Sequence, residues 1–205
     1  MSRCPKSELS DERWALVEPV ISAWKAQHPS VSGHSGRYAM REIVNALLYQ
    51  SLTGCRWDYL PHDLPPPGAV KYYFRTWRDD GTDKLIHDLL RWKVRERNGR
   101  LEDPSLVVLD TQSLHAAAGV PAVTTGRDAN KKVPGRKRAL AVDVLGLVIA
   151  AVVLPASAHD NVAGVALLDR VAADNPRVVK ALVDQGFKNS VAAPPRPPGA
   201  ARDQP

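Results

Sequence analysis

The chain has 205 residues, with 28 Lys plus Arg against 22 Asp plus Glu, 44 % apolar residues and 17 prolines, which is enough core-forming material for one domain or two modest ones and too much for disorder throughout. Its longest nearly uncharged apolar run, Val144 to Ala156, is 13 residues and contains Gly146 and Pro155; a bilayer crossing needs roughly 20, so no membrane span is expected. The polar start MSRCPKSELSDER lacks the apolar stretch of a secretory signal, and Cys4 and Cys55 suit neither a disulfide framework nor a Cys-rich zinc site, so a cytoplasmic chain with inert thiols is expected.

Residues 1–100 read as helices. Ser10 is a candidate cap, followed by Asp11 and Glu12 in a first turn, and Trp14, Val17 and Ile21 recur at helical spacing, with Pro19 expected to kink or restart the helix. From Tyr38 to Leu52 an apolar stripe runs through Met40, Ile43, Val44, Leu47 and Leu48, and Gly54 supplies a left-handed stop. After the Pro-rich turn Leu64 to Gly68, one helix face carries Val70, Tyr73, Phe74 and Trp77 and the other carries Lys71, Arg75 and Arg78, with Gly81 ending it. A further helix, about Asp83 to Arg97, is expected to bury Leu85, Ile86, Leu89, Leu90 and Val94.

Past Asn98, Gly99 and Asp103-Pro104 the long amphipathic runs give way to short β-branched ones, which marks a domain boundary. Strands are expected at Leu106–Leu109, Ala139–Val144, Leu147–Leu154 and Val178–Val183, with a tight turn at Leu145 and Gly146. A helix over Asn161–Ala173 is expected to present Val162, Val165, Leu168 and Val171, capped by Asp160 or Asn161. Strand, long basic insertion, hairpin, helix, strand is the opening order of a mixed α/β sheet. Residues 191–205 have a disordered, Pro/Ala-rich composition.

The net charge of +6 is concentrated locally: Arg91 to Arg100 and Arg127 to Arg138 are strongly basic. Lys131, Lys132, Arg136, Lys137 and Arg138 fall between the first two strands, and Lys71, Arg75 and Arg78 form a stripe opposite an aromatic face. Both sets suit contacts to DNA phosphates, and both equally suit ordinary solvated surface. Asp110 ends the strand LVVLD and Asp184 ends ALVD. Carboxyl ends of strands in open α/β sheets face the functional crevice, so on neighbouring strands these acids converge, and oxygen-seeking divalent ions can bridge such a pair for phosphoryl transfer. Aspartates after strands also serve as caps and turn residues. Asp143 is read as structural and Asp160 as a helix cap, with a functional reading of His159 left open. No His-x-x-x-His pair, Gly-Lys-Ser/Thr phosphate loop or G-x-S-x-G elbow occurs.

In order, LSDERWALVEPV, REIVNALLYQSLTGCRWDYLPHDLPPPGAVKYYFRTWRDDG, LDTQSLHAA, DANKKVPGRKRALAVDVLGLVIAAVVLPASAHD and ALVDQGF resemble the transposases of bacterial insertion sequences that use a DDE catalytic triad. The resemblance covers about residues 9–190. It implies a small all-α, helix-turn-helix-like DNA-binding domain over 1–100, a partial RNase H-like α/β mixed sheet with helices over 101–190, Mg²⁺ as metal and cut-and-paste transfer at terminal inverted repeats. Double-stranded DNA is the implied partner, and a homo-oligomer is left open. Asp110 matches the first acid and Asp184 the second, although Gln185, Gly186 and Phe187 stand where the family more often has Gly-Gly-Tyr or Lys-Gly-Tyr.

The third acid of such enzymes is a glutamate beyond the second aspartate, and the last glutamate in this sequence is Glu102. The expectation is that a frameshift or early stop has removed the catalytic C-terminus and that the chain does not cleave DNA. The alternative is a non-catalytic DNA-binding remnant that competes with intact transposase for repeat ends.

Overall fold

The computed structural model describes residues 8–29, 38–117, 119–129 and 132–183; Cys4, Lys131, Asp184 and the tail 191–205 lie outside the described residues. Two compact units divide the chain, one up to Lys93 and the other from Val94 onward.

The first unit is helical. Helix α1 (Asp11–Gln27) starts at Ser10, whose side chain accepts from the Arg13 N–H at 3.3 Å, and runs through Pro19 without a restart. Losing one intrahelical bond at the proline is tolerable because Val17, Ile21 and Trp24, on both sides of it, are buried. Helix α2 (Met40–Thr53) ends at Gly54, helix α3 (Pro67–Asp80) at Gly81, and helix α4 (Thr82–Arg97), whose residues from Val94 onward belong to the second unit, begins immediately afterwards. Gly81 is the whole connection between α3 and α4, and its φ of 82° lies where a side chain on Cα would be strained. The α2–α3 connection, residues 54–66, instead carries a 3-10 turn at Trp57–Tyr59.

The core of this unit gathers Ile21, Ile43, Val70 and Trp77 around Trp24; each fully buried aliphatic side chain contributes about 1.5–3 kcal/mol. Trp24 stacks on His28 with centroids 4.3 Å apart and meets Tyr73 and Trp77 edge-on, both at 5.9 Å. Its indole N–H donates to Asp80 Oδ2 at 2.6 Å. Burial works against ionisation of Asp80, but hydrogen bonds from Thr82 and Trp24 outweigh it and hold the carboxyl below the usual aspartate range.

Two expected faces are corrected. Phe74 is exposed and leans on the Trp57 ring, centroids 5.3 Å apart. In α4, Leu85, Leu90 and Val94 are exposed, while Arg91 and Arg95, four residues apart, take the buried side. A charge competes with leucine for burial when a partner waits there: Arg91 reaches Asp88 Oδ1 at 3.4 Å, and Arg95 reaches Asp143.

The second unit is α/β. Strands β1 (Leu106–His115), β2 (Gly126–Arg127), β3 (Pro134–Val142), β4 (Val148–Pro155) and β5 (Lys180–Val183) form one mixed sheet, with helix α5 (Asp160–Asp174) between β4 and β5. Strand β3 pairs antiparallel with β1 on one side and with β4 and the short β2 on the other, and β1 pairs parallel with β5. Thus β1 is internal. The parallel β1–β5 pair requires a crossover, which α5 supplies.

Helix α5 packs on one face of the sheet, where Val107, Leu109, Ala139, Ala141 and Ile149 meet Ala163, Leu167, Leu168 and Val171. The expected α5 face is corrected: Val162 and Val165 are 57 % and 47 % exposed. Small Ala163 and Gly164 occupy the buried side instead and let the helix axis approach the strands. Gly135 serves a comparable close approach, since a Cβ built there would lie 1.9 Å from the Leu114 carbonyl oxygen.

Two strands are longer than the apolar runs suggest. Strand β1 continues through Thr-Gln-Ser-Leu-His, and β3 begins at Pro134, so Arg136, Lys137 and Arg138 are ladder residues and not part of an insertion loop. At the end of β3 the Asp143 carboxylate is fully buried, accepts from the Leu145 and Leu147 N–H groups at 2.8 and 3.0 Å, and pairs with the Arg95 guanidinium. Arg95 also donates through Nε to the Leu101 carbonyl at 2.7 Å. Asp143 is structural, as expected from the sequence.

Candidate active site

Strand alternation fixes the sidedness of β1. Val107 and Leu109 point at α5, so Asp110 and Gln112 stand on the opposite face. Asp110 is exposed and lies across the ladder from Leu140. Among the described residues its carboxylate has no hydrogen-bond or ion-pair partner. Parallel pairing sets Leu106, Val107, Val108 and Leu109 opposite Lys180, Ala181, Leu182 and Val183. The ladder therefore reaches the residue immediately before Asp110 on one strand and the residue immediately before Asp184 on the other; Asp184 itself lies outside the described residues.

The neighbouring strand adds cations to the same face. Arg136 and Arg138 are exposed, opposite Leu114 and Gln112. The Arg138 guanidinium donates to Gln112 Oε1 at 2.9 Å, and that of Arg136 donates to Thr124 Oγ1 at 3.1 Å and to the Thr124 carbonyl at 3.3 Å. Lys137, between them, points the other way. Its side chain is 7 % exposed, and its ammonium donates to Asp160 Oδ1 and the Ala158 carbonyl, both at 2.7 Å. Expected as a phosphate contact, Lys137 is instead committed to the start of α5. Lys132 is exposed, with a φ of 57°.

Asp160 also accepts from Thr111 Oγ1 at 3.3 Å. It is the first residue of α5 and not its cap; His159 caps the helix, its Nδ1 accepting from the Asn161 N–H at 3.2 Å. Ser113 Oγ donates to the buried Asp128 at 2.5 Å on this packed side of the sheet. Gln112, Thr124 and the Lys137–Asp160 pair were not anticipated from the sequence. The one signal available was alternation: once Arg136–Arg138 is read as a strand, its middle residue must face away from its neighbours.

In the helical unit Arg75 of the α3 stripe is exposed, Lys71 pairs with Asp58 at 3.0 Å and Arg78 pairs with Asp79 at 2.7 Å. Exposed pairs of this kind are worth about 0–1 kcal/mol, little enough for a phosphate to displace the carboxylate.

An antiparallel β1–β3–β4 meander, a crossover helix and a parallel β5 beside β1, with an acid on the central strand, define an RNase H-like α/β unit. Residues 101–193 match the transposase DDE domain. Residues 9–87 match a second family, described as a transposase of the IS4/5 family (DUF4096). The chain belongs to the DDE-type transposases of insertion sequences, whose activity is DNA transposition and which use divalent metal and bind DNA. No curated protein and no solved structure shows a significant match to it.

Among the described residues no three His, Cys, Asp or Glu side chains gather into a metal site. The donor chemistry at Asp110 nonetheless fits the family's metal: a hard, exposed carboxylate without a competing cation, on a strand whose parallel partner leads directly into a second aspartate. No helix among the described residues is long and apolar enough to cross a membrane.

Proposed function

We propose that Asp110 and Asp184 together hold Mg²⁺ and that the sheet face bearing Asp110 receives the DNA strand to be transferred at the terminal inverted repeats of the element, in the cytoplasm. The β1–β5 register carries this reading, because it pairs Leu109 with Val183, each followed directly by an aspartate. Bound there, the metal would supply Lewis-acid stabilisation of the charge that develops as an oxygen nucleophile attacks phosphorus and the opposite P–O bond breaks. Asp110 holds the metal from an inner strand, which gives it a fixed backbone. Arg136 and Arg138 hold the polyanion against the same face, and Arg75 with its neighbours on α3 gives the helical domain, 1–100, its own phosphate contacts.

Two acids make an incomplete triad. The sequence has no glutamate after Glu102, and we expect these 205 residues by themselves to bind repeat ends, as monomer or homo-oligomer, without cutting them. Manganese binding followed by electron paramagnetic resonance tests the metal pair: Asp110→Asn and Asp184→Asn should each weaken it at least tenfold, and unchanged binding in both would overturn the assignment. Incubation with terminal-repeat duplex and Mg²⁺ or Mn²⁺ should leave the DNA intact. Robust cleavage abolished by Asp110→Ala would overturn the second part alone.

A further inference from the structure

The face that carries Asp110 also carries a hollow of about 320 Å³. Leu114, Val120 and Val153 give it apolar walls, and Arg136 and Arg138 supply its cationic side. The two arginines are two positions apart on β3, hence on the same face and roughly 6.6 Å apart along the strand. Neither pairs with a carboxylate among the described residues. Each is instead steadied by a neutral acceptor: Arg138 by the Gln112 side chain of the adjacent strand, Arg136 by Thr124. This arrangement separates orientation from neutralisation. A carboxylate in place of Gln112 would fix the guanidinium but consume its charge; an amide oxygen occupies one donor and leaves the charge and the remaining N–H groups for an incoming anion.

We infer that Arg136 and Arg138 form a pre-oriented double clamp for backbone phosphates of the DNA strand lying over Asp110, with Gln112 and Thr124 as its positioning residues. Gln112 is two residues from Asp110 on the same face of the same strand, so the clamp and the acid move as one body. The inference rests on the reading of this face as the DNA side and adds which groups hold the strand and what sets their geometry. The contacts go to phosphate and carry no base readout.

The test is the salt dependence of binding between about 50 and 200 mM salt, using a labelled duplex of about 30 base pairs and arbitrary sequence. Each phosphate contact contributes a slope of about −0.9 in log affinity against log salt concentration. Arg136→Ala with Arg138→Ala should make the slope shallower by about 1.8, while Arg138→Lys keeps the charge and the slope. Gln112→Ala should weaken binding several-fold at unchanged slope, because no charge is lost. Gln112→Glu should make the slope shallower by about 0.9, matching Arg138→Ala, because the new carboxylate competes with the phosphate. All these side chains are exposed, and thermal melting of each variant at the wild-type temperature confirms that folding is intact. An unchanged slope in the double arginine variant, with the wild-type chain still binding, overturns the clamp and the phosphate role given above to these two arginines, and leaves the assignment of Asp110 and Asp184 standing, which manganese binding tests separately. Indifference of binding to both Gln112 substitutions overturns its positioning role. Absence of salt-dependent binding by the wild-type chain overturns the reading and the clamp together.

Discussion

The helical unit and the sheet unit solve the same problem, burying a core in a short stretch of chain, by different means. Around Trp24 the helices bury aromatic rings, and the polar tip of the indole is satisfied by one surface carboxylate, Asp80. The sheet unit buries small aliphatic residues against α5 and, beside them, full charges: Arg95 with Asp143, and Lys137 with Asp160. Their sequence separations are 48 and 23 residues. The first unit also buries one charge, Arg91 beside Asp88, but leans mainly on apolar area, whereas the second holds a fully buried pair, Arg95 with Asp143, that is harmful unless both partners are present.

The sharpest way to expose that contrast is Asp143→Ala, which strands a buried guanidinium and two turn amides. It should cost the sheet unit about 3–5 kcal/mol. All five tryptophans precede Val94, so in urea the part of the far-ultraviolet circular dichroism change that does not follow tryptophan fluorescence should move to lower concentration, with little movement of the fluorescence transition. Equal movement of both would show that the two units unfold as one. Lys137→Met removes the ammonium from Asp160, which remains 30 % exposed and can turn to water; about 1–3 kcal/mol is expected in the same dichroism measurement. Ser10→Ala removes the α1 cap and should lower stability by about 1 kcal/mol, read by tryptophan fluorescence because Trp14 and Trp24 lie on that helix.

The smallest effect concerns acid. Asp80 titrates below its ordinary value of about 3.9 in the folded chain, so its contribution is present above that value and is lost as pH falls through the lower folded value. Asp80→Asn should flatten the acid dependence of helical-unit stability below about pH 4, and an unchanged profile would assign that dependence to other carboxylates.

Legibility in the sequence follows the same division. Caps and stops are local devices, and Ser10, Gly54 and Gly81 act where the sequence marks them. The order of strands and the crossover helix is equally plain, because β-branched runs and one apolar helix leave few connections open. Burial of charge is another matter. Lys137 looks like its neighbours Arg136 and Arg138 until the strand is known to begin at Pro134, and Arg95 looks like a solvent-facing helix end until its partner arrives from Asp143. On α5 two apolar stripes compete, and the choice falls to the side with Ala163 and Gly164 because close approach to the sheet favours small residues, a preference that hydrophobic periodicity does not encode. For the candidate site, Asp110 is marked by its place after an apolar run, while Gln112 and Thr124 have no local signature at all, since each matters only through an arginine on another element.

The internal position of β1 makes the sidedness of its residues a matter of parity. Leu109 packs beneath α5 and Asp110 stands on the opposite face only because they fall on alternate counts of one strand clamped by ladders on both flanks. Inserting or deleting a single residue within β1 ahead of Asp110 would swap their places, driving a carboxylate into the oily layer beneath α5 and a leucine onto the opposite face. A change of length that leaves composition almost untouched would thus reverse every face of the strand at once.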